Sequence, residues 1–211
     1  MNNLDRMVEE SKDFKQFARG YLQYLSELFQ RLDMDALEQF LKELEDARKS
    51  GKTVFIIGNG GSAGTASHMA NDFGFGLRSH PQTPFKVMSL TDNVPVISAL
   101  ANDVGYEQIF LRQLQLYAKP GDKLIVITAS GNSPNLLSAS RWFKQYGGKV
   151  LGLLGFDGGQ MLGLCDAAVV VKTPKGEYGP VEDIHMILDH LLYSWLWSKE
   201  RRQSMMTGGM I

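Results

Sequence analysis

The feature that most constrains this chain is a change of rhythm after Lys52. From there, short runs rich in β-branched and other apolar residues each end in Gly, Ser, Thr or Asp and give way to segments of helical spacing. The runs are Thr53 to Gly58, Phe85 to Leu90, Lys123 to Thr128, Lys149 to Leu154 and Ala167 to Val171. Such alternation predicts an α/β domain, a doubly wound parallel sheet with helices on both faces. Gly51, Pro120-Gly121, Gly147-Gly148 and Gly158-Gly159 fall between the segments as turn residues.

Before that sheet, residues 4–49 alternate apolar and charged side chains at helical spacing, with a break at Leu32-Asp33-Met34-Asp35. The break predicts two helices, the second capped by Asp33 or Asp35. Residues 181–199 read as a final helix, and the remaining RRQSMMTGGMI reads as a frayed end. The expected division is therefore a helical pair over 1–50, the α/β domain over 51–199 and a flexible tail over 200–211. The opening pair and the final helix carry more apolar residues than one sheet face covers, which points to an oligomer interface.

Composition narrows the partners. A chain of 211 residues, 44% hydrophobic, fits one globular domain. Its 22 Lys and Arg against 23 Asp and Glu leave no cationic surplus for nucleic acid or anionic lipid. Apolar runs such as VFIIG fall far short of the ~20 residues that span a bilayer. Cys165 is the lone cysteine, so no intramolecular disulfide forms, and the first residues carry no signal-like apolar run. A cytoplasmic protein with small-molecule partners is the expectation.

Two loops point to the ligand. Gly58-Asn59-Gly60-Gly61-Ser62-Ala63-Gly64 follows the first strand and opens a helix, an arrangement that binds anions. Its glycines admit a ligand close to the backbone, and the helix dipole favours negative charge. Thr128-Ala129-Ser130-Gly131-Asn132-Ser133-Pro134-Asn135 follows the third strand and adds three hydroxyls, with Pro134 placed for a first helical turn. Hydroxyls and amides hold a phosphate dianion without lysine, each bond contributing roughly 1.5–3 kcal/mol. Ligands of doubly wound sheets bind at such strand ends. Neither loop has the Rossmann G-x-G-x-x-G spacing or a Walker lysine, which disfavours nucleotides.

These loops resemble the phosphate-binding pair of the SIS (sugar isomerase) domain family, over about residues 54–196. Asn102-Asp103-Val104-Gly105-Tyr106, Gly155-Phe156-Asp157-Gly158-Gly159 and Glu182-Asp183-Ile184-His185 are similar to the phosphoheptose isomerase branch. The resemblance implies a flavodoxin-like sheet of five strands, a homotetramer with active sites shared between subunits, and a seven-carbon ketose phosphate as substrate. It also implies zinc, with the family pattern His, Glu, Gln, His falling on His68, Asp72, Glu182 and His190. Two positions depart from that pattern, Asp72 for Glu and Glu182 for Gln, although all four side chains can ligate zinc.

Aldose–ketose isomerisation needs a base and an acid beside a carbonyl, and stabilisation of the enediolate between the two proton transfers. The resemblance implies Asp72 and His190 in the first roles. His68 and Asp72 stand four apart on one helix face. Glu182 and His190 stand eight apart and face one cleft out of register, with Asp189 a rival for the same stripe. Phosphate and sugar contacts are expected from Asn59, Gly60, Gly61, Ser62, Asp92, Thr128, Ser130, Asn132, Ser133 and Glu182. Arg78 could pair with substrate or with an acidic neighbour, and His80 lies in a Pro-flanked loop. A non-catalytic phosphosugar sensor, or an adaptor like those that bind the bacterial initiator DnaA, is the alternative, motivated by the two departures.

Overall fold

Pairing between the apolar runs sets the architecture. The computed structural model describes residues 2–77 and 84–206; Arg78, His80 and the end of the expected tail lie outside them. The strands are β1 (Thr53–Gly58), β2 (Lys86–Ser89), β3 (Lys123–Thr128), β4 (Lys149–Gly155) and β5 (Ala167–Val171). They form a sheet in the order β2-β1-β3-β4-β5 with every neighbouring pair parallel. This is the flavodoxin-like order, and it reverses direction between β1 and β3.

Successive residues of β1, β3, β4 and β5 enter different cores, as a period of two requires, while the edge strand β2 leaves Lys86 and Met88 exposed. Val54, Ile56, Ile125, Ile127, Leu151 and Leu153 face α2 (Phe14–Gln30), α3 (Met34–Lys49), α4 (Gly61–Asn71) and α9 (Tyr178–Met206). Phe55, Ile57, Leu124, Val126, Val150 and Leu154 face α6 (Ile109–Tyr117) and α7 (Pro134–Gln145), with Phe55 edge-on to Phe143 at 6.3 Å. Burial on both faces explains why the strands read as continuous apolar runs. The helix α5 (Val94–Asp103) buries none of its residues.

Two boundaries differ from expectation. The opening segment holds three helices rather than two, because α1 (Asn3–Glu10) ends before Asp13, whose carboxylate caps α2 by accepting from Gln16 N. The later break falls where expected, with Asp33 accepting from Ala36 N as the cap of α3. At the other end, α9 continues through the expected tail to Met206, since Glu200 is buried in an ion pair with Arg48 on α3.

A buried charge network ties α3 to the sheet. Lys123, at the start of β3, donates to Glu43 at 2.6 Å and Asp46 at 2.9 Å, and Lys149, at the start of β4, donates to Glu43 at 2.8 Å. Burial alone would raise the Glu43 carboxyl, but the bonds from Lys123 and Lys149 hold it below its ordinary value. Its contribution to stability is therefore present above the unfolded-state pKa and is lost as pH falls through the folded-state value. Glu43→Gln should destabilise the fold by about 3 kcal/mol, because it leaves a buried ammonium short of charge. Urea unfolding checks this, as a lower midpoint with unchanged slope.

Candidate active site at the switch point of the sheet

Where strand order reverses, the helices that follow β1 and β3 leave toward opposite faces, and the two loops stand on either side of a crevice. Their backbones dictate their shape. Gly60 has φ +55° and caps α4 without any side-chain bond, so the first turn of α4 presents its amides at the crevice. Ser62 is buried in that turn. Across the crevice, Ser133 occupies the N-cap of α7 but makes no side-chain capping bond, and Pro134 begins the helix.

Asn59 and Asn135 join the loops. Each amide donates to the other's oxygen, at 3.0 and 2.8 Å, and the Tyr106 hydroxyl adds a bond to Asn59 at 3.1 Å. The second loop is braced from behind. Thr128 Oγ1 accepts from Gly131 N, Gly131 O accepts from Met161 N, and Asn132 Oδ1 accepts from Gln160 N. Gly131 has φ +64°, and a Cβ there would run into the Gly158 carbonyl. Thr128 thus shapes the loop and Ser130 Oγ accepts from Asn132 N within it, while the Ser133 hydroxyl makes no capping bond.

A second group of side chains lies two turns along α4. His68 Nε2 is 3.0 Å from His190 Nε2 and 3.5 Å from Asp72 Oδ2. Asp72 opens a single π-helical turn, Asp72–Gly76, a distortion that recurs at functional sites. One donor atom each from His68, Asp72, Asp189 and His190 lies within 4.8 Å of the others. Asp189 is wholly buried, and among the described residues neither of its oxygens has a hydrogen-bond partner. Burial, and then the charge of Asp72, pushes its carboxyl up to about 8.

The structure brings together His68, Asp72 and His190 from the expected set, and it places Glu182 elsewhere. The Glu182 carboxylate lies against Gly61, where a Cβ would overlap it. The helices α4 and α9 run side by side in the same direction, so Glu182 stands level with Gly61 and His190 level with His68. Asp92 is held by the Ser67 hydroxyl, the neighbour of His68 on α4. His185 is fully buried with Nε2 bonded to the Leu154 carbonyl, and burial drops it to about 4.

A profile of the SIS domain matches residues 16–155, which include both loops, His68 and Asp72. The chain belongs to the SIS domain family. Among similar SIS proteins is a phosphoheptose isomerase of Trichlorobacter lovleyi, 36% identical over 169 residues, covering 77% of this chain and 85% of that protein. Another from Rhodospirillum rubrum is 32% identical over 176 residues, covering 82% of this chain and 92% of its own. A solved phosphoheptose isomerase from Francisella tularensis superposes with a TM-score of 0.75 at 26% identity, over 94% of this chain and all of that one. One from Neisseria gonorrhoeae, at 22% identity and a TM-score of 0.78 over 88% of this chain and all of that one, shares the fold.

Three residues of this SIS domain escaped sequence reasoning as members of the site: Tyr106, Asn135 and Ser67. All three act through hydrogen bonds to expected residues, and only tertiary structure reveals such bonds. Asn135 had a visible signal, its place directly after Ser133-Pro134. Two neighbouring substitutions should separate shape from binding. Gly131→Ala should cost more than the ~1–2 kcal/mol of a left-handed residue, given the Gly158 overlap. Ser133→Ala should leave the melting temperature unchanged, without the ~1 kcal/mol lost when a true N-cap is removed. Thermal unfolding of both variants checks the contrast.

Proposed function

We propose that this chain is a phosphosugar isomerase that converts sedoheptulose 7-phosphate to a heptose 7-phosphate. The observation that carries the reading is a pair of donor loops at the switch point with a His–Asp group set seven residues further along α4. That offset is about 10 Å of helix, comparable to an extended sugar chain between a terminal phosphate and the carbons at its other end. The phosphate rests on the amides of Gly60 and Gly61 and the hydroxyls of Ser62, Ser130 and Ser133. Sugar hydroxyls are assigned to Asp92 and Glu182, with Asn59 and Asn132, whose amides also bond within the loops, adding contacts from the walls.

The donor set also fits a divalent cation. Two imidazole nitrogens 3.0 Å apart approach the ~3.3 Å spacing of two nitrogens on a tetrahedral zinc ion, and a buried carboxylate without partners sits beside them. A zinc ion held by His68 and His190 together with a carboxylate of that group would supply Lewis-acid polarisation of the carbonyl.

The residues then divide the proton transfers. Asp72 takes the proton from the carbon next to the carbonyl, while His190 Nε2, when it carries a proton and not a metal ion, protonates the carbonyl oxygen; a zinc ion on that nitrogen would supply the polarisation in place of that proton. In the second half His190 recovers a proton from the neighbouring hydroxyl and Asp72 returns its own to carbon, so protons balance. Asp72 is shorter than the glutamate of the family pattern, yet it reaches within 3.5 Å of His68. The half-open setting of His68 and His190 agrees with a site shared between copies in a homotetramer. Ile187, Leu191 and Trp195, four residues apart on α9, lie exposed in a stripe beside them. Trp197 instead packs inward, stacked on Tyr193. Among the described residues no helix is long and apolar enough to cross a membrane, and a cytoplasmic location suits the lone Cys165, whose thiol burial raises to about 12.

Incubation with sedoheptulose 7-phosphate in D2O tests the reading. The wild type should form aldose with solvent deuterium at the receiving carbon, and His190→Ala should lower kcat by about 10²–10⁴-fold. No turnover of any seven- or six-carbon ketose phosphate by zinc-supplemented wild type would refute it.

A further inference from the structure

We infer that Asp189, and not Glu182, supplies the carboxylate that completes the metal site in this chain. The inference rests on the metal-assisted reading above and concerns which side chain of α9 serves it.

Helix geometry decides between the two acids. Because α4 and α9 run alongside each other in the same direction, each level of one meets one level of the other. Glu182 lies at the level of Gly61, with its carboxylate against that glycine at the amino end of α4, where the helix dipole favours negative charge. From there to His190 is eight residues, a rise of about 12 Å. Asp189 neighbours His190 directly, and its carboxylate belongs to the group whose donor atoms lie within 4.8 Å of one another; Glu182 does not.

Among the described residues Asp189 also has no protein partner for its ionised form. It is wholly buried, and a buried carboxylate is tolerated when it is paired or bound to metal. Among the described residues no Lys or Arg pairs with it and no donor bonds it, while the nearest named charge, Asp72, is repulsive. A divalent cation at the centre of the group would reverse that balance, turning a buried carboxylate without a partner into a ligand. The set His68, Asp189 and His190 then matches the three-ligand pattern of two histidines and one carboxylate that leaves a catalytic position open. Asp72 is thereby free for proton transfer, and Glu182 for a sugar hydroxyl.

The test compares metal affinity in wild type, Asp189→Asn, Asp189→Leu and Glu182→Ala after chelation, by calorimetric titration with Zn2+ and by the visible absorption of the Co2+ form. Wild type should bind one ion per chain. Glu182→Ala, which has no atom to offer a metal, should keep that affinity within about threefold, and Asp189→Asn should lose at least the ~10²-fold that even outer-shell changes reach. Apo Asp189→Leu should melt higher than apo wild type, since a stranded carboxyl is gone, yet gain little from zinc. The leucine variant keeps the test open if the asparagine variant folds poorly. Loss of affinity in Glu182→Ala with retention in the Asp189 variants would overturn the inference, and so would unchanged affinity in all of them. Absence of metal binding in wild type would instead remove the metal-assisted reading on which it stands.

Discussion

The reversal of strand order between β1 and β3 is the constraint on which the remaining structure depends. Parallel strands need crossover helices, and at the reversal those helices diverge to opposite faces of the sheet. The chain ends thereby freed form a crevice, and the amides of two helix starts point into it. On the proposed reading, Gly-rich and Ser-rich sequences at those two turns make that crevice an anion site. The reciprocal bond between Asn59 and Asn135 fixes the width of the crevice, and the Gly131–Gly158 backbone contact fixes the pose of its second wall.

Charge is distributed to suit. Buried Lys123 and exposed Lys149 begin β3 and β4, so they stand at the end of the sheet opposite the loops and are neutralised by Glu43 and Asp46. Neither loop contains a Lys or Arg. On the proposed reading, recognition of a dianion there falls to dipoles and hydroxyls, which impose direction as well as affinity. The parallel course of α4 and α9 leads from Glu182, level with Gly61 at the first loop, to the histidine and aspartate group two turns further on.

Much of this was legible before any coordinates. The runs at β1, β3 and β5 coincide with the strands to the residue, because strands buried on both faces leave an uninterrupted apolar signature. Both loops were legible for a different reason: glycines and serines at strand ends have few structural uses. Pairwise levels between helices were not. Nothing in the spacing of Glu182, Asp189 and His190 says which of them meets His68, because that depends on how far α9 slides along α4. The helix boundary at Ser11 to Asp13 was missed because apolar spacing resumes after it almost in phase. The continuation of α9 past Lys199 depends on Arg48, some 150 positions earlier in the chain, which makes it invisible to any local pattern.

The central claim is that a doubly charged headgroup is held by uncharged donors of two adjacent loops. Calorimetric titration of sedoheptulose 7-phosphate into wild type and into a Ser62→Ala/Ser130→Ala/Ser133→Ala variant of unchanged circular dichroism measures it directly. Loss of three charge-assisted bonds at roughly 1.5 kcal/mol or more apiece predicts binding weaker by at least 10²-fold. Equal affinity in the two proteins would contradict the account.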